Sequence, residues 1–146
     1  MAADEHRERH RRLLELAQAR EQEAKEQVAA AARHCELLRR EWQAVTMEVE
    51  RLRTSPGGSS TAASASHEQR YRDELHRRAE GLENQHREAE ARRAQRQHEL
   101  VAVAQEAKAW QHLLEAADRE ALRVQAQGEQ RQLDEHNTWL ASRGEQ

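Results

Sequence analysis

Phenylalanine and isoleucine are missing from this chain of 146 residues, while tyrosine (Tyr71), proline (Pro56) and cysteine (Cys35) occur once each and glycine five times. Sheets are built from runs of aromatic and β-branched residues joined by closely spaced turns. Sandwiches, barrels and α/β enzyme folds are therefore excluded. A single cysteine cannot close an internal disulfide, and the charged start, with Asp4, Glu5, His6 and Arg7, has no hydrophobic signal core. Both features point to an intracellular protein, cytoplasmic or cytoskeleton-associated, with the nucleus left open. No apolar run is longer than the five residues 28–32, against the ~20 that a membrane-spanning helix requires.

A dominant charge is missing as well. The 24 basic and 27 acidic residues give a formal charge of −3, and the signs alternate at short range. Residues 1–53 carry 11 of each sign, residues 67–99 eight of each, and residues 100–146 eight acidic against five basic. Binding nucleic acid by phosphate neutralisation calls for a net basic stripe, and lying on a membrane calls for a basic face opposite bulky apolar residues. The sequence has neither, so no membrane partner is expected and nucleic acid is disfavoured.

What remains is the Ala-, Glu-, Arg-, Leu- and Gln-rich profile of long helices. Alternate steps of three and four through the first segment meet Leu14, Ala17, Glu21, Ala24, Val28, Ala31, Cys35, Leu38, Trp42, Val45, Val49 and Leu52, all apolar except Glu21. Such a stripe, held over more than five repeats, is the seam of a coiled coil. The same walk through the second segment meets Leu75, Ala79, Leu82, His86, Ala89, Arg93, Arg96, Leu100, Val103, Ala107, Trp110, Leu114, Ala117, Ala121 and Val124. Its three polar members mark a wet central section, and beyond Val124 the register is lost.

Helix breakers cluster only at residues 54–66, an uncharged Ser/Gly/Ala stretch that contains Pro56, Gly57 and Gly58. Proline and glycine at these positions stop a helix near Arg53. Ser66 followed by Gln69 matches a capping box and predicts a restart at His67. The sequence thus predicts a first helix over 4–53, a flexible linker over 54–66, a second helix over 67–127 and a C-terminal extension over 128–146. Gly128 is expected to kink the second helix or open a separate short one, and Asn137 and Thr138 are expected to fray its end.

Two heptad helices tethered by a short linker favour folding back on themselves, because the tether raises the local concentration of one seam around the other. The expected fold is all-α, two long helices forming an antiparallel coiled-coil hairpin. Facing residue numbers must then add to a constant, and 117 and 124 both suit the linker. The value 117 sets Glu21 opposite Arg96, which spares a seam charge from burial without a partner. It is preferred here for that reason.

In either register the last thirty or so residues extend past the first helix, so Leu133, Trp139 and Leu140 are candidate docking residues. Leu13, Leu16, Leu37, Leu113 and Leu122 lie off the seam as a second apolar edge for further helices. His6 and His10 have a four-residue spacing that zinc could use, but no third ligand, HExxH or CxxC accompanies them. Cys35 reads as a small seam residue, and no nucleophile-and-base pair or phosphate-cradling loop occurs. No catalytic residue, metal or cofactor is assigned. The arginines at 7–12 and the cluster Arg87, Arg92, Arg93 and Arg96 read as salt-bridged helix surface, interleaved with Glu8, Glu88 and Glu90.

The functional reading is a non-enzymatic structural subunit or adaptor in a larger intracellular complex, with cytoskeletal, axonemal and kinetochore assemblies as the architectural analogues. Its expected partners are other coiled-coil subunits or a second copy. The alternatives are a parallel homodimeric spacer and a polyanion-binding module that engages microtubules or nucleic acid through the arginines.

Overall fold

A computed structural model describes residues 2–55 and 61–144. It consists of two helices, α1 (Ala2–Thr54) and α2 (Ala62–Gly144), packed against each other as an antiparallel hairpin. Residues 56–60 of the expected linker lie outside the described residues. α2 starts at Ala62, five residues before His67. Thr61 is its cap: the Ser64 backbone N–H donates to Thr61 Oγ1 at 3.1 Å. The Ser66–Gln69 box is not used, and Gln69 donates instead to Asp73 at 3.0 Å. Alanine and serine cost a helix little, so the first available cap sets the boundary.

No break occurs at Gly128. α2 runs through it to Gly144, and no described residue has a positive φ. Asn137 and Thr138 do not fray the end either. The Thr138 hydroxyl donates to the Asp134 carbonyl at 2.8 Å and the Ser142 hydroxyl to the Trp139 carbonyl at 3.0 Å, which keeps both polar groups within helical geometry.

The chain divides into two units. The first, Met1–Gln22 with Ala102–Gln146, buries Ala17 and Ala107 and half-buries Leu14, Val103, Trp110 and Leu114. Arg7 Nε donates to Asp118 Oδ1 at 3.0 Å, Arg20 pairs with Glu106 at 3.8 Å, and the His10 and Trp110 rings lie 6.0 Å apart. The second unit, Glu23–Val101, has a core of Cys35, Leu38, Val45, Leu75, Leu82 and Ala89, against which Trp42, Val49, Leu52 and Ala79 pack. Val28 and Leu100 are half-buried there. Arg96 Nη1 donates to Gln27 Oε1 at 3.3 Å, and Arg72 Nη2 donates to the Leu52 carbonyl at 3.2 Å. The last bond satisfies one of the carbonyls that the end of α1 leaves open.

These contacts correct the register. The numbers in Arg7–Asp118, Gln27–Arg96 and Leu52–Arg72 add to 125, 123 and 124, so facing residues follow the value 124 and not 117. At 124, Cys35 falls level with Ala89 and Ala17 with Ala107, and these four are the least exposed residues of their stretches, at 2, 2, 2 and 5%. Small residues set opposite one another let two backbones approach closely. Glu21, the seam charge that 117 would pair with Arg96, is only half-buried, and a carboxylate that still reaches water carries little desolvation cost.

Two outcomes test this arrangement. Under mild oxidation, Cys35 should lose its free thiol to a cysteine at Ala89→Cys and stay reduced beside Leu82→Cys, as read by thiol titration and peptide mapping; the reverse would restore 117. A Cβ at Gly128 would meet nothing within 4 Å, so Gly128→Ala should raise local helix stability by about 0.5–1 kcal/mol, measured as slower amide exchange across residues 122–140.

Candidate protein-interaction surface

α1 begins at Ala2, and at a facing sum of 124 its first residues reach only to the level of Leu122. Past that level every described residue of α2, 122–144, is exposed. A single helix in water gains no stability from an apolar side chain it cannot bury, so large apolar groups on such a segment are candidate contact residues. Leu133, Trp139 and Leu140 sit here with 57, 50 and 48% of their surface open. Leu122, Leu133 and Leu140 are 11 and 7 residues apart, close to three and two whole turns, and so share one side of the helix. Trp139 lies about 100° around from Leu140. Its indole stacks on His136 with centroids 6.0 Å apart, and the Arg143 guanidinium carbon lies 4.8 Å from the ring centroid on its face. The ring is thereby held in place while half of it stays in solvent.

Of the off-seam leucines, Leu16, Leu37, Leu113 and Leu122 are exposed by 50, 56, 49 and 67%, and Leu13 is half-buried. Leu13, Leu16, Leu113 and Leu122 belong to the first unit, as does the 122–144 segment. Leu37 belongs to the second. His6 and His10 stack at 6.5 Å, with His10 leaning on Trp110. Among the described residues no three His, Cys, Asp or Glu side chains gather as a metal site would need. Sequence reasoning missed the packing of His10 on Trp110, and Arg72 as the cap of α1. Both are visible in the sequence only once the register is known.

The polar surface is dominated by pairs within one helix. Arg11 and Arg12 reach Glu8, Arg87 reaches Glu83, and Arg51 reaches Glu48. Glu36 accepts from Arg39 at 2.9 and 2.6 Å and from Arg40 at 3.1 Å. These bonds, those from Arg39 above all, hold the Glu36 carboxyl down at about 2. The Cys35 thiol is pushed up from its ordinary value, first by burial and then by the Glu90 carboxylate, which makes it a poor nucleophile.

The family model described as "Flagellar FliJ protein" matches residues 7–146. No curated protein and no solved structure matches the chain significantly.

The Glu36 pairing sets a pH dependence. Its folded pKa lies below the ordinary carboxylate value of about 4.3, so its stabilisation is fully present above that value and is lost as pH falls toward about 2. The carboxyl carbon of Glu36 should titrate by NMR near about 2 and return toward the ordinary range in Arg39→Ala.

Proposed function

Because this chain belongs to the FliJ family, we propose that it is a non-enzymatic helical-hairpin subunit of the flagellar protein-export assembly, working on the cytoplasmic side through contact with other protein subunits. The α2 segment 122–144 is the docking element of this reading. The observation that carries it is the coincidence of a family match over residues 7–146 with a helix end whose Leu133, Trp139 and Leu140 lie in solvent. Aromatic anchors with apolar neighbours are the usual energetic centre of a protein interface.

The family replaces the cytoskeletal, axonemal and kinetochore settings, and with them the nuclear and microtubule readings, because it is flagellar. A parallel homodimeric spacer would have to open a seam that α1 and α2 already cover within one chain. The polyanion module is weakened at Arg7, Arg11, Arg12 and Arg87, whose guanidinium groups are paired with carboxylates, and the flagellar family lends it no support.

Substitution of Leu133, Trp139 and Leu140 by alanine should leave folding stability within about 0.5 kcal/mol per site, as for exposed positions generally, and should abolish complementation of swimming and flagellar secretion in the source bacterium deleted for this gene. Full motility with the triple variant would remove the docking assignment; normal secretion in the deletion strain itself would remove the export role.

A further inference from the structure

Acid-free stretches occur at several places on α2, but the one richest in arginine, 91–98, lies level with an acid-free stretch of α1 in the hairpin register. Residues 27–35 of α1 and 91–98 of α2 contain no acidic residue, but they hold Arg33, His34, Arg92, Arg93, Arg96 and His98. A facing sum near 124, fixed locally by Gln27–Arg96, sets these two stretches at the same level. Each is about 12–14 Å long at 1.5 Å per residue. Carboxylates bound the belt on both helices: Glu26 and Glu36 on α1, Glu90 and Glu99 on α2. Only the edge acids reach in, with Arg96 bonded to Glu99 at 3.1 Å and Arg93 to Glu90 at 3.9 Å. Among the described residues Arg33 and Arg92 make no ion pair or hydrogen bond. Between the arginines the surface is low: a shallow groove of Gln27, Ala30, Ala31, His34, Ala89 and Arg92 runs along the hairpin with alanine as its floor.

We propose that this belt is a docking surface for a helix of another protein whose contacting face is acidic over about two turns and basic on either side. The charge order of the groove dictates that pattern. Along both helices arginine and histidine stand at the level of the groove and glutamate flanks that level in the sequence, so carboxylates are attracted at the level of the belt. Alanine at the floor lets a helix backbone come close enough for short Asp or Glu side chains to reach Arg92 and Arg96, and arginine suits such forked pairing. A continuous polyanion is a poor occupant, because its evenly spaced phosphates would run on over Glu26, Glu36, Glu90 and Glu99. The surface lies in the second unit and does not involve residues 122–144, so it stands independently of the docking element proposed above.

The test uses the full chain and a labelled alanine-based helical peptide with Glu on one face of its central two turns and Lys in its outer turns, followed by fluorescence anisotropy. Binding should be at least tenfold tighter than for the peptide with Gln in place of Glu, and should weaken strongly as salt rises from about 0.05 to 0.5 M. Arg92→Glu, at a side chain that makes no bond in the fold, should weaken it at least tenfold with an unchanged circular dichroism melt. Trp139→Ala with Leu140→Ala should leave it unaltered. Equal binding of the Glu and Gln peptides, no binding of either, or indifference to Arg92→Glu would overturn the proposal. So would a 20-base-pair DNA duplex that binds as tightly as the Glu peptide and is lost with the same variant, which would make the belt a general polyanion site.

Discussion

The close approach of small residues at the seam is the constraint on which the rest depends. Cys35 level with Ala89, and Ala17 level with Ala107, are the least exposed layers of the two units. They are also the layers that a slip of one heptad would replace with bulkier pairs, Cys35 then facing Leu82 and Ala17 facing Leu100. Packing density at an interface of two helices is set by what fits between the backbones, and a mismatch there forfeits dispersion contacts along the whole seam. The seam layers outweigh a single charge pair that water can serve instead.

Once this register is set, the locations of the unpaired surfaces follow. α1 is described from Ala2 and α2 to Gly144, so in an antiparallel pair with a facing sum near 124 the described part of α2 past about Gln125 lies beyond the level of the described start of α1. The same sum sets the acid-free stretches of α1 and α2 side by side. One presents apolar side chains to solvent, Leu133, Trp139 and Leu140 among them, and the other an alanine-floored groove flanked by arginine.

The helices themselves were legible in the sequence. Every α1 seam residue from Leu14 to Leu52 is buried or half-buried, and so is every α2 seam residue from Leu75 to Ala121 except Arg93 and Arg96. Periodicity reads burial well because an amphipathic stripe has one place to go when a second stripe lies on the same chain. The boundaries were less legible. Ser66 and Gln69 formed a plausible cap, but Thr61 offered one earlier, and nothing in the alanine- and serine-rich stretch between them opposed a helix. Gly128 weakens a helix without ending it where no positive φ is demanded. The flagellar setting could not be read from periodicity at all, since a heptad hairpin serves many assemblies equally well.

From residue order alone came the all-α class, the two seams, the place of the break between them and the solvent-facing character of Leu133, Trp139 and Leu140. Local propensity and apolar spacing are properties of a single segment, and they require no knowledge of its neighbour. Which layer of α1 meets which layer of α2 was decided only in the folded hairpin. A heptad repeat is nearly self-similar under a shift of seven, so both registers satisfy the pattern, and only the summed contact of Cys35, Ala89, Ala17 and Ala107, together with the Arg7–Asp118 bond, separates them.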